Sequence, residues 1–72
     1  MNDLGIDFTA SAFKHGVSED SIICVLAWPT IPHDDPKRPE VIWVIGTDSH
    51  GTLIEVAYDK VRRTVFHAMP TK

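Results

Sequence analysis

Ser18-Glu19-Asp20-Ser21-Ile22-Ile23-Cys24-Val25-Leu26-Ala27-Trp28-Pro29 decides the fold class, because its apolar part fits two readings. From Ile22 to Trp28 seven consecutive apolar residues, rich in β-branching, carry no period that separates a buried strand from a buried helix. The flanks break the tie. Ser18 is a good N-cap, Glu19 and Asp20 place negative charge at the positive end of a helix dipole, and Val17 and Ile22 stand at hydrophobic-staple spacing. Pro29 disfavours helical backbone at Trp28 and closes the element. The segment is therefore expected to be a helix.

Upstream, Phe8-Thr9-Ala10-Ser11-Ala12-Phe13-Lys14-His15-Gly16 repeats these signals over a shorter span. Thr9 is the N-cap, Gly16 takes the position after the helix where positive φ is needed, and Phe8 with Phe13 forms the staple. Downstream, the stretch from Pro29 to Glu40 holds four of the five prolines and a dense run of charge, so it reads as a loop. Three strands follow: Val41 to Gly46, Thr52 to Tyr58 and Thr64 to Met69. Their short connections, Thr47 to Gly51 and Asp59 to Arg63, force antiparallel neighbours. The expected architecture is a single α+β domain over residues 1–72, with two N-terminal helices packed on one face of a three-stranded antiparallel β-meander.

A chain of 72 residues leaves room for one domain. A domain this small buries about 60–65% of its unfolded surface, and its core supplies about 3–5 kcal/mol, so a partner or self-association is expected to help. The single cysteine, Cys24, makes no internal disulfide, which points to a reducing, cytoplasmic setting. Met1 to Asp7 shows no basic segment followed by an apolar one, and the longest apolar run is too short to span a bilayer, so neither secretion nor membrane insertion is expected. The net charge of −3 is uneven: Lys60, Arg62, Arg63 and Lys72 give the last stretch +4, while the remainder carries −7. That patch is either a weak polyanion site or a charged hairpin tip that keeps an edge soluble.

With each hairpin centred on its loop, near Ser49 and near Val61, Glu55 lies opposite His67 and Trp43 opposite Glu55. They share a face with Val41, Ile45, Leu53, Ala57, Val65 and Met69. The other face collects Ile42, Val44, Ile54, Val56, Tyr58, Phe66 and Ala68 and is expected to lie beneath the helices. The uncovered face then centres on a carboxylate, an imidazole and an indole. That is either a proton-transfer pair or a plain cross-strand polar pair worth about 0.2–1 kcal/mol. A one-residue slip in either hairpin would separate the two groups.

The ordered set Phe8, Lys14-His15-Gly16-Val17-Ser18-Glu19, Ile45-Gly46, Gly51-Thr52-Leu53-Ile54-Glu55-Val56-Ala57-Tyr58 and His67-Ala68-Met69-Pro70 resembles the BrnT-like toxins of bacterial type II toxin–antitoxin systems. The likeness covers most of the chain outside the proline-rich loop. It implies a fold similar to RelE-type ribonucleases, metal-independent RNA cleavage and neutralisation by a small DNA-binding antitoxin. The positions that match the family's sites are Lys14, His15, Glu55, Tyr58 and His67. Thr52 and Met69 stand where the family carries arginines, and relatives usually continue into a further helical segment after the last strand.

Two functions fit these residues. As a ribonuclease, the chain would use His67 as acid or base with Glu55 as its partner or the base, Arg62, Arg63 and Lys72 on phosphate, and Trp43 stacked on a base. As a non-catalytic interaction module, a homodimer or partner-binding domain, it would use the apolar rim of Val41, Trp43, Ile45, Leu53, Val65 and Met69. Structural alternatives stand beside several site roles: Lys14 and His15 near a helix C-terminus, Tyr58 as a core aromatic, Arg62 and Arg63 as a solvated turn. No His-x3-His or Cys-x2-Cys spacing, Gly-rich phosphate loop or nucleophile elbow is present, so neither metal nor cofactor is expected.

Overall fold

The structure, a computed structural model, describes residues 5–28 and 31–71. Within them the chain forms strand β1 (Asp7–Phe8), a 3-10 turn (Ala10–Phe13), helix α1 (Glu19–Ala27), β2 (Ile31–Asp34), β3 (Val41–Thr47), β4 (Leu53–Asp59) and β5 (Thr64–Pro70). The five strands make one mixed sheet in the order β1-β5-β4-β3-β2. The expected pair of helices on a three-stranded meander is thereby overturned. One α-helix lies on a five-stranded sheet, and both additional strands sit at its edges.

The ambiguous segment is helical because its cap is made: the Ser21 backbone N–H donates to Ser18 Oγ at 3.1 Å. Ile22 and Val25 are fully buried and Leu26 packs beside them, one apolar stripe at helical spacing. The element expected upstream tightens into a 3-10 turn. Thr9 has extended N-cap backbone, but its hydroxyl bonds Ser11 Oγ at 2.7 Å instead of capping. Ser11 Oγ in turn donates to the Phe66 carbonyl at 2.8 Å, so the turn is pinned along the β5 edge. Gly16 adopts φ +80° as its position requires, and the Phe8 and Phe13 rings meet at 5.6 Å between centroids.

β1 is two residues running parallel to β5, held by Asp7 N–H to the Arg63 carbonyl at 2.9 Å and Thr9 N–H to the Val65 carbonyl at 3.0 Å. β2 falls in the stretch read as loop. Pro32 is compatible with it because β2 is an edge strand, where one ladder donor can be absent.

Both central hairpins form with strand ends within about one residue of expectation, but in a different register. Trp43 pairs with Ala57 and Ile45 with Glu55, so the first hairpin is centred at His50. In the second, Asp59 pairs with Thr64 and Tyr58 with Val65, whereas Ala57 pairs with His67. Phe66 is thus an extra residue, a β-bulge. The bulge exchanges two assignments: Val65, expected on the uncovered face, is fully buried in the helix-side core, and Phe66, expected in the core, is not part of it. Had Tyr58–Val65 pairing continued without the bulge, Val56 would oppose His67 and the imidazole would lie under the helix.

Asp59 organises the β4–β5 turn. Its Oδ1 accepts from the Val61 and Arg62 backbone N–H groups at 3.0 and 2.9 Å, and Arg62 Nη1 donates to Oδ2 at 2.8 Å. The Arg62 N–H, against the opposing effect of burial, holds this carboxyl below its ordinary value of 3.8. Asp48 in the β3–β4 turn is also held low: burial opposes, and the Thr52 and His50 N–H groups with the Ser21 hydroxyl outweigh it. Folded-state values below the unfolded ones mean that this stability is present above about pH 4 and is lost as pH falls through the folded values. Thermal unfolding midpoints are therefore expected to drop between about pH 5 and pH 3, less steeply in Asp59→Asn than in wild type. A profile of equal slope in the two proteins would contradict this.

Candidate functional site on the open face of the sheet

Alternation along β3 and β4 sends Ile42, Val44, Ile54 and Val56 toward α1 and Trp43, Glu55 and Ala57 to the opposite face. On that open face His67 Nε2 and Glu55 Oε2 are 3.0 Å apart. Glu55 and His67 are diagonal neighbours, since Glu55 pairs with Met69 and Ala57 with His67. Their side chains are 30% and 26% exposed, half-buried yet open to a ligand. An ionised carboxylate only accepts, so in this pair Nε2 donates, and Nδ1 makes no hydrogen bond among the described residues.

Two further rings join the pair. His15 lies edge-on to His67 with centroids 5.8 Å apart, and the Trp43 ring is tilted against His67 at 5.4 Å. His15 arrives because the 3-10 turn runs beside β5 from Phe66 onward, where β1 has ended. Lys14 is exposed next to it in the chain.

The segment between β2 and β3 forms a strap over this face. Asp35 Oδ1 accepts from the Lys37 and Arg38 backbone N–H groups at 2.8 and 3.0 Å, and its Oδ2 accepts from Trp43 Nε1 at 3.0 Å. The Trp43 hydrogen bond, first among these contacts, holds the Asp35 carboxyl below its ordinary range. Arg38 extends from the strap over the Phe66 ring, Cζ to centroid 5.3 Å. Val41 and Ala57, on the open face by alternation, are 1% and 0% exposed, so this side has a small apolar floor of its own.

The structure thus brings together His67, Glu55, His15 and Trp43, with Lys14 beside them. It separates the others. Tyr58 is on the helix side, packed against the core and lining an apolar groove with Ile6, Leu26, Pro32, Ile42 and Val44. Arg62 is paired with Asp59 in the turn, and Arg63, at φ 54°, directs Nε to the Gly5 carbonyl at 3.4 Å. Lys72 lies outside the described residues. The apolar rim is also smaller than expected, because Val41 and Val65 are buried. Asp35, Arg38 and Phe66 were not singled out in the sequence. The signal for the strap was Asp35-Pro36, a turn-initiating dipeptide with a side chain suited to accepting backbone N–H bonds.

A polar cleft of about 300 Å³ beside the β3–β4 turn, lined by Ser18, Ser21, Asp48 and His50 among others, is less suited to chemistry. Its one carboxylate is already engaged by Ser21 Oγ and the His50 and Thr52 N–H groups. Among the described residues no group of three His, Cys, Asp or Glu side chains is placed to hold a metal ion, and no helix is long and apolar enough to cross a membrane. No family model matches the chain, and no curated protein or solved structure matches it either.

Proposed function

We propose that the open face is the acid–base site of a metal-independent ribonuclease, the toxin component of a toxin–antitoxin pair, acting on RNA in the cytoplasm. The observation that carries this reading is the Glu55–His67 pair with a second imidazole, His15, in edge contact. Cleavage by the ribose 2′-hydroxyl requires one group to take a proton and another to deliver one to the leaving 5′-oxygen. Two imidazoles, of which only His67 has a carboxylate partner among the described residues, supply unlike groups for those roles. Glu55 orients His67 and leaves Nδ1 facing the reaction; His15 is its counterpart. The half-buried Trp43 offers part of a π-face for a base, a contact worth about 1–3 kcal/mol in single-strand recognition.

The test is cleavage of a labelled single-stranded RNA by the purified chain in EDTA, alongside His67→Ala. Loss of activity in the variant supports the reading; equal rates, or none in either protein, remove it.

A second reading, a non-catalytic module that pairs with itself or with a small antitoxin-like protein, is favoured by the opposite side of the molecule. The apolar groove beside Tyr58 has a volume of about 370 Å³, and Trp28 and Val61, close in sequence to its lining residues Leu26 and Lys60, are 78% and 76% exposed. Light scattering that shows a monodisperse monomer, with no protein captured by the tagged chain, would rule against it.

A further inference from the structure

Among the described residues, the exposed Lys14, next to His15 in the chain, is the one cation so far placed near the centre of the ribonuclease site, and no arginine is. Thr52 and Met69 supply none, Arg62 is paired with Asp59, and Arg63 reaches toward Gly5 at the far end of β5. We infer that Arg38 is the phosphate-binding residue of the open face, delivered to it by the Asp35 strap and held there by Phe66. This deepens the RNA reading and rests on it for the identity of the ligand.

Three observations place Arg38 in that role. First, its guanidinium lies over Phe66, and Phe66 directly precedes His67 on the bulged stretch of β5, so the cation sits one residue along the strand from the Glu55–His67 pair. A guanidinium held near a ring by cation–π attraction spends no N–H donor on a hydrogen bond to it, so its donors remain for a phosphate. Second, among the described residues no hydrogen bond consumes those donors: the ion pair of Arg38 Nη2 with Asp35 Oδ2 is long, 3.8 Å, and that oxygen already accepts from Trp43 Nε1. The Arg38 side chain is 53% exposed. Third, Asp35 ties the strap to Trp43, and Trp43 packs on His67, so the cation and the imidazole are referenced to one indole. A phosphodiester at this face would have Arg38 on a non-bridging oxygen and His67 at the ester oxygens.

The experiment titrates inorganic phosphate into isotope-labelled protein and follows the Trp43 indole N–H and arginine Nε–H signals. Wild type should show saturable shifts at Trp43 and at one arginine. Arg38→Gln should lose them, Arg38→Lys should retain the Trp43 shift, and Lys37→Gln, which removes an equal charge one residue away, should behave as wild type. A parallel titration uses a 2′-O-methyl RNA oligonucleotide that cannot be cleaved. There Arg38→Gln should weaken binding by about tenfold and lower the slope of log affinity against log salt by about 0.7, the single-strand value for one phosphate contact. No saturable phosphate shift in wild type, or shifts equal in Arg38→Gln, overturns the assignment. Phosphate binding through Arg38 without RNA binding upholds Arg38 and defeats the ribonuclease reading. Matching unfolding midpoints for the variants confirm that the fold is intact.

Discussion

Ile22→Ala is expected to leave the chain largely unfolded at room temperature. Ile22 is enclosed by its neighbours on every side: it has 0% solvent exposure and is among the largest completely buried side chains. It sits where α1 meets the sheet, in one cluster with Val44, Ile54 and Val56. Truncating a buried isoleucine costs about 2–5 kcal/mol, through lost transfer energy and a cavity that closes only in part. A core of this size supplies about 3–5 kcal/mol in all. The two ranges overlap, so a single substitution consumes most of the stability. Urea titrations followed by circular dichroism should show a folded baseline in wild type and little or none in the variant. Ile23→Ala, at a half-buried position of the same helix, should retain a cooperative transition. A wild-type midpoint in Ile22→Ala would mean that α1 does not anchor the sheet.

The second large effect concerns the site. His67→Ala is expected to reduce RNA cleavage by about 10²–10⁴-fold, the range of a lost general acid or base. Glu55→Gln should cost less, because its side chain acts by orienting His67 Nε2 and an amide oxygen still accepts that hydrogen bond. Tyr58→Phe should leave the rate unchanged, since Tyr58 is on the helix side of the sheet. This last variant separates the geometry from the family resemblance, which counts Tyr58 among the site residues. Single-turnover rates at saturating protein make the comparison independent of binding. If Tyr58→Phe lost activity while His67→Ala kept it, the open face would not be the active site.

Much of this was legible because it is local. The Ser18 cap, the Phe8–Phe13 contact and the positive φ of Gly16 depend on residues at most five apart, and each formed as its sequence pattern requires. The three long strands were legible from alternation over seven residues, and so was the sharing of one face by Trp43 and Glu55, which His67 joins only through the bulge. What could not be read depends on distant partners. β1 is too short to show a period, and its bonds go to β5, more than fifty residues away. β2 contains a proline, which excludes a central strand but not an edge, and nothing nearby in sequence reveals that it will be an edge. Arg38 was invisible for the same reason: its partner, Phe66, becomes available only because β5 carries an extra residue.

That extra residue makes the site a matter of counting. Between the Asp59 turn and the imidazole the chain spends one residue more than a regular ladder would, and the odd step alone decides whether position 67 looks outward or inward. Deleting one residue in this stretch would keep every neighbouring side chain type nearly intact while reversing the orientation of all that follows. Comparisons with other chains should therefore weigh the spacing from turn to histidine above the letters in between, and a gap slid across it would conceal whether a relative still owns the site.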